Sequence, residues 1–193
     1  MGKKINILFW LFSLFLTVNC FAEEKAFSSI SIAGAFFNSF PTAELEENWD
    51  VDPGLSIFIE IPTGFGNARA GLIFETYNAL TNSVYDYDAF MWYFGWNYPI
   101  KLFKSVSVVP GLNAGSYTMS FDVPGASFYS RNEAEYFEAV SLRLQAKVYK
   151  NYDLYFEVDH KNIFTYHNIE FNSFQSGVII KFRNTNWIRD VLN

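Results

Sequence analysis

The side chains in this sequence best suited to catalysis are two histidines, His160 and His167, which lie seven residues apart. A histidine can serve as the base that activates a hydroxyl nucleophile. The segment that begins at the first histidine reads His160-Lys161-Asn162-Ile163, and no serine occurs between residues 160 and 172. The sequence also lacks metal-ligand spacing, a glycine-rich phosphate loop and a Ser/His/Asp set. It therefore predicts no enzymatic activity, no cofactor and no metal.

A second group of reactive side chains is acidic and lies in residues 44–52, where five carboxylates occur without a base. These are Glu44, Glu46, Glu47, Asp50 and Asp52. Carboxylate oxygens can bind a divalent cation, but the spacing around Asp50-Val51-Asp52 lacks the regularity of a cation-binding loop. The prediction for this segment is a solvated acidic loop.

Other charged side chains recur at every second position among apolar ones. Val140, Leu142 and Leu144, for example, alternate with Ser141 and Arg143. A period of two is typical of a strand, which sends successive side chains to opposite faces. The charged residues of the polar face, four acids and five bases, are Glu60, Arg69, Glu75, Arg143, Lys147, Glu157, Asp159, Lys161 and Lys181.

This alternation predicts an all-β chain with eight strands. The predicted strands are 26–38, 53–62, 67–79, 86–99, 105–121, 133–148, 152–165 and 171–183. All eight exceed the 5 to 6 residues usual in soluble proteins, and a tilted strand that crosses a membrane needs about 9–11. The pattern therefore favours an antiparallel up-and-down transmembrane β-barrel.

The first 22 residues have the pattern of a secretory signal peptide. Lys3 and Lys4 precede an apolar stretch, and Cys20 and Ala22 are small residues at a cleavage site. A lipidated Cys20 is the alternative, although Thr17 and Asn19 fit a lipoprotein signal poorly. The predicted division is a signal peptide (1–22), a barrel (23–183) and a periplasmic tail (184–193).

Loop lengths and charge give the barrel an orientation. Long connections at 39–52 and 122–132 alternate with short turns, which matches long extracellular loops and short periplasmic turns. Acidic residues occur in or near the long connections. Bases at or beside the short turns are Arg69, Lys101, Lys104, Lys147, Lys150, Lys181 and Arg183. Without the signal the chain has 12 bases and 20 acids, a net charge of −8, which excludes nucleic acid as a partner.

These strands and loops resemble the small eight-stranded outer-membrane proteins, the broad family that includes the membrane domain of outer membrane protein A. The resemblance implies a bacterial outer-membrane location, insertion by the barrel insertion machinery, and contact with outer-membrane lipid and lipopolysaccharide. Family members usually end on an aromatic residue. Phe182 matches that position, but eleven residues follow it.

A soluble barrel such as a lipocalin also has period-two strands, but it keeps its apolar face inside. Long strands and terminal aromatic residues favour the membrane arrangement, in which the polar face lines the lumen. An eight-stranded barrel is only wide enough for its own side chains, so inward charges must pair. The preferred network joins Arg143 or Lys147 to Glu157 or Asp159.

A sealed barrel of this kind predicts a structural or interaction role at the cell surface, as a monomer whose outer loops meet an unknown extracellular ligand. A narrow channel or a transporter of small apolar molecules is the alternative. A lipid A-modifying enzyme is a third. The segment at His160 resembles the lipid A deacylase motif His-x-Ser-Asn, but Asn162 stands where that motif has its serine.

Overall fold

A computed structural model describes residues 26–41, 46–123, 132–165 and 169–183 of this chain. The predicted signal peptide, the predicted tail from residue 184 onward and Glu44 lie outside the described residues. The strands are β1 Ser29–Pro41, β2 Trp49–Thr63, β3 Gly66–Ala79, β4 Tyr87–Asn97, β5 Ile100–Lys101, β6 Val106–Phe121, β7 Asn132–Tyr149, β8 Tyr152–Phe164 and β9 Ile169–Arg183.

The strands form one closed antiparallel barrel. Each long strand pairs with the next along the chain, β1 pairs with β9, and β4 pairs with β6 across the two-residue β5. Eight long strands therefore surround the lumen, which confirms the predicted fold. Among the described residues, no helix is long and apolar enough to cross a membrane.

The first outer connection is shorter than predicted. β2 begins at Trp49, four residues before the predicted start, so Asp50 and Asp52 lie on a strand and not in a loop. A β-bulge between Asp52 and Leu55 shifts the register against β3. The bulge breaks the period-two pattern on which the strand assignment rested, and this is why the sequence placed the start too late.

The register fixes the geometry of the barrel. Stepping through paired Cα atoms from Ser31 around all eight long strands leads back to β1 at Pro41, ten residues further along. This offset is the shear of the barrel, and with eight strands it gives a tilt of roughly 40°. Side chains fill the interior of such a barrel.

The two faces of the barrel differ in polarity. On β8, Tyr155, Glu157 and Asp159 are buried in the lumen, whereas Leu154 and Phe156 are exposed on the outer wall. Large exposed apolar side chains occur on all eight long strands. A lipocalin has the opposite arrangement, so the soluble alternative is excluded and the outer wall is that of a membrane barrel.

Candidate functional site in the barrel lumen

Four charged side chains form a buried quartet in the inner half of the lumen. They are Glu60 on β2, Arg69 on β3, Arg143 on β7 and Glu157 on β8. Arg69 donates hydrogen bonds of 2.7 and 2.8 Å to the two carboxylate oxygens of Glu157. Nη1 and Nη2 of Arg143 lie 2.8 and 3.0 Å from the carboxylate of Glu60. The quartet is electrically neutral.

These short contacts cross the barrel. Glu60 is the register partner of Arg69, and Arg143 is the register partner of Glu157, so the quartet contains two pairs of neighbouring residues. Within these pairs the contacts are longer, 3.1 Å from Arg69 Nε to Glu60 and 3.8 Å from Arg143 Nε to Glu157. β2 faces β7, and β3 faces β8, from opposite sides of the barrel. The quartet therefore links opposite walls of the barrel, β2 to β7 and β3 to β8, through hydrogen bonds and ion pairs.

Polar and aromatic neighbours complete the quartet. Asn97 donates a 2.6 Å hydrogen bond to Glu60, and Gln175 donates one of 2.9 Å to Glu157. The guanidinium carbon of Arg69 lies 3.8 Å from the ring centroid of Phe58. A buried charge is tolerated only where partners replace its hydration, and here both carboxylates have several.

A second polar group lies nearer the outer end. Nζ of Lys161 is 2.6 Å from Asp159, and the hydroxyl of Ser173 bridges the same two side chains by accepting from Lys161 and donating to Asp159. Lys161 therefore has both a carboxylate and a hydroxyl partner inside the lumen. Glu75 accepts hydrogen bonds from Ser39, at 2.9 Å, and from Tyr77, at 3.3 Å.

An aromatic layer closes the lumen above these charges. The rings of Tyr77 and Tyr87 are stacked at 4.3 Å, and the Tyr87 hydroxyl lies 3.3 Å from that of Tyr117. The Trp49 ring packs edge-on against Tyr87 at 5.6 Å. Below this layer, a lumen cavity beside Tyr93 and Glu157 has a volume of about 10 Å³, roughly the space for one water molecule. In the part of the chain that the structure describes, side chains fill the lumen around this cavity.

Two further residues of the predicted lumen network, Lys147 and Lys181, lie away from the buried quartet. Lys147 is exposed, so it lies outside the buried network to which the sequence assigned it. It lies next to the β-bulge between Lys147 and Tyr149, at the inner end of the barrel. Nζ of Lys181 is 3.0 Å from Asp153, and its side chain is 35% exposed. This pair lies at the inner end of the lumen.

Four of the five predicted acidic loop residues lie among the described residues. Glu46, Glu47, Asp50 and Asp52 are exposed, and Asp52 accepts a 2.9 Å hydrogen bond from Asn78. Within residues 26–41, 46–123, 132–165 and 169–183, no group of three or more His, Cys, Asp or Glu residues could hold a metal ion.

Comparison with known proteins identifies the fold. No protein-family model matches the sequence, and no curated protein matches it. Among solved structures, the chain is similar to Ail, the attachment invasion locus protein of Yersinia pestis, with 13% identity, a TM-score of 0.55, and coverage of 80% of this chain and 99% of Ail. Neisserial surface protein A has 15% identity, a TM-score of 0.57, and coverage of 80% and 96%. Outer membrane protein AlkL has 12% identity, a TM-score of 0.57, and coverage of 86% and 95%.

At these identities the likeness concerns the fold. The chain has the eight-stranded β-barrel fold of small outer-membrane proteins, as the sequence predicted. Large apolar side chains are exposed on the outer wall of all eight long strands, as expected for a surface in contact with lipid. Fold and outer wall together place it in the bacterial outer membrane.

Proposed function

We propose that this protein is a sealed outer-membrane scaffold that binds partners at its outer end and is not a channel for solutes. The packed lumen carries the proposal. The quartet joins opposite walls, the aromatic layer lies above it, and the cavity beside Glu157 has room for about one water molecule. A diffusion pore needs a continuous aqueous path, so the function lies at the ends or on the wall.

The outer end carries a strong negative charge. We define the acidic outer rim as nine exposed or half-buried residues: Glu46, Glu47, Asp50, Asp52, Asp86, Asp88, Asp122, Glu133 and Glu135. No lysine or arginine occurs in the described stretches that hold them, 46–52, 80–88, 121–123 and 132–136. A surface of one sign attracts partners of the other sign. The rim is therefore suited to a cationic partner.

This rim distinguishes the chain from a barrel that binds polyanions. Ail has been solved in complex with the heparin analogue sucrose octasulfate. A sulfated ligand would be repelled by the nine carboxylates of the rim. We infer a different ligand class for this protein: cationic proteins or peptides at the cell surface.

Single-channel recording tests the sealed lumen. The purified, refolded protein is expected to give no conductance steps in a planar lipid bilayer, because the quartet bonds of 2.7–3.0 Å leave no passage between opposite walls. A general porin recorded in the same bilayer is the positive control. Regular conductance steps from the wild-type protein would contradict the scaffold role and favour a narrow channel.

Neutralising the rim tests the binding role. In lipid nanodiscs, the wild-type barrel is expected to bind a fluorescent oligolysine peptide, with affinity that falls as salt rises. The quadruple variant Glu46→Gln, Glu47→Gln, Glu133→Gln and Glu135→Gln should bind about tenfold more weakly, since each rim charge contributes modestly. The matched control, Lys101→Gln with Lys104→Gln, changes the inner end only. Equal binding by both variants would refute a role for the rim.

A further inference from the structure

Two half-buried aromatic side chains point into the lumen at its outer mouth. Trp49 lies two residues before Val51 on β2, and Val51 is the register partner of the buried Tyr77. Phe121 on β6 is the register partner of the buried Tyr87. Because side chains of paired residues point to the same face of a sheet, both rings point into the lumen. Trp49 packs edge-on against Tyr87 at 5.6 Å, and Phe121 is tilted against it at 5.2 Å. The mouth therefore has an aromatic floor.

Two carboxylates face the same mouth from the opposite wall. Glu133 and Glu135 lie four and two residues before the buried Phe137 on β7, so the alternation of the strand points them into the lumen. β7 faces β2, the strand of Trp49, across the barrel. Glu133 is exposed, Glu135 is half-buried, and neither has an ion-pair partner among the described residues. We call Trp49, Phe121, Glu133 and Glu135 the mouth site. Its aromatic floor and its carboxylates are together suited to a cation.

The buried quartet shows which cation a ring and a carboxylate hold together in this barrel. The guanidinium carbon of Arg69 lies 3.8 Å from the ring centroid of Phe58, and the same side chain donates two hydrogen bonds to Glu157. A guanidinium is planar, so it can stack on a ring while it forms two parallel hydrogen bonds with a carboxylate. An ammonium is a compact and strongly hydrated charge, which suits this combination less well. The mouth site offers the same two groups, and tryptophan is the aromatic side chain that binds cations best.

The ring of Trp49 is held in place by its neighbours. Its Nε1 donates a 2.9 Å hydrogen bond to the carbonyl oxygen of Tyr85, and the ring also packs against Tyr87. A ring that is already ordered loses little conformational freedom when a ligand stacks on it. The carboxylates of the acidic outer rim surround this end of the barrel, so they favour the approach of a cation from outside.

We propose that the mouth site binds one arginine side chain of a cationic protein or peptide, with the guanidinium between the Trp49 ring and the carboxylates of Glu133 and Glu135. The inference rests on the proposed binding role of the acidic outer rim, and it names the side chain that the rim selects. The rim attracts any cationic chain, because long-range electrostatic attraction does not distinguish lysine from arginine. The mouth site adds a stacked and hydrogen-bonded contact that arginine makes better than lysine.

Peptide binding to the protein in phosphatidylcholine nanodiscs tests the site. The probes are fluorescent oligoarginine and oligolysine of equal length, and wild-type protein is expected to bind oligoarginine more tightly. Trp49→Leu should weaken oligoarginine binding about fivefold, the value of one partly exposed cation–π contact, and oligolysine binding less. Trp49→Phe keeps a ring and should restore part of the loss. Trp92→Leu is the matched control, since Trp92 is exposed on the outer wall, and it should match wild type.

Two acid variants on β7 test the carboxylates, and they decide the question if the heat-modifiable gel band shows that Trp49→Leu does not fold. Glu135→Gln should weaken oligoarginine binding about threefold. Glu138→Gln, on the outer wall of the same strand, should match wild type. Equal oligoarginine affinity in the two folded tryptophan-to-leucine variants, or in the two acid variants, would overturn the mouth site and leave the rim role intact. Failure of wild-type protein to bind either peptide would instead refute the rim role, and this inference with it.

Discussion

Replacement of Arg69 by methionine is expected to lower the free energy of unfolding by about 3–5 kcal/mol, the usual cost of breaking a buried ion pair. Methionine retains much of the packing against Phe58. It removes two hydrogen bonds to Glu157 and the 3.1 Å contact with Glu60. Two buried carboxylates then share one arginine. Urea titration of the barrel in detergent, followed by tryptophan fluorescence, measures the loss.

A double variant distinguishes the effect of the lost charge on the free energy of unfolding from the effect of the lost packing. Arg69→Met combined with Glu157→Gln restores neutrality, because Glu60 and Arg143 remain as a pair at 2.8 Å. The double variant should therefore be more stable than Arg69→Met alone, although it has one charged side chain fewer. If the two losses simply added, the quartet would not be coupled. A single variant within about 0.5 kcal/mol of wild type would show that the quartet contributes little to stability.

The sequence predicted the barrel well because every long strand has one apolar and one polar face. Six of the eight predicted strands begin and end within two residues of the observed positions. β2 is the largest departure, since the bulge before Leu55 interrupts the alternation. A period-two sequence pattern does not show where a residue pairs irregularly with the neighbouring strand. Strand boundaries at bulges therefore need three-dimensional information.

The lumen network was predictable only in part. Alternation identified Arg143 and Glu157 as inward residues on adjacent strands, and the register places them opposite each other. The shorter contact of Arg143, however, is with Glu60 across the barrel. Contacts between opposite walls depend on the shear of the barrel, which a period-two sequence pattern does not encode. The exposure of Lys147 has the same origin, because strand tilt decides which inward positions extend beyond the lumen.

Gly177→Val is expected to prevent closure of the barrel. Gly177 lies on β9 opposite Ala35, at the seam where the last strand pairs with the first. A Cβ atom there would lie 2.1 Å from the carbonyl oxygen of Gly34 and 2.7 Å from Cα of Ala35. Both are backbone atoms, so rotamer changes cannot relieve the clash, and the seam must separate. We expect the free energy of unfolding to fall by about 3 kcal/mol, which is at the upper end of the cost of overpacking. On a gel, little of the protein should migrate as the heat-modifiable, folded band.

The neighbouring residue provides the control. Ser176 is exposed on the outer wall, where valine adds apolar surface in contact with lipid and favours a strand. Ser176→Val should therefore fold as well as wild type, and Gly177→Ala should lie between wild type and Gly177→Val. A separated seam leaves unpaired N–H and C=O groups in hydrocarbon, where water cannot replace the lost bonds. If Gly177→Val gave as much heat-modifiable band as Ser176→Val, the seam would tolerate a side chain, and close approach of β1 and β9 would not limit folding.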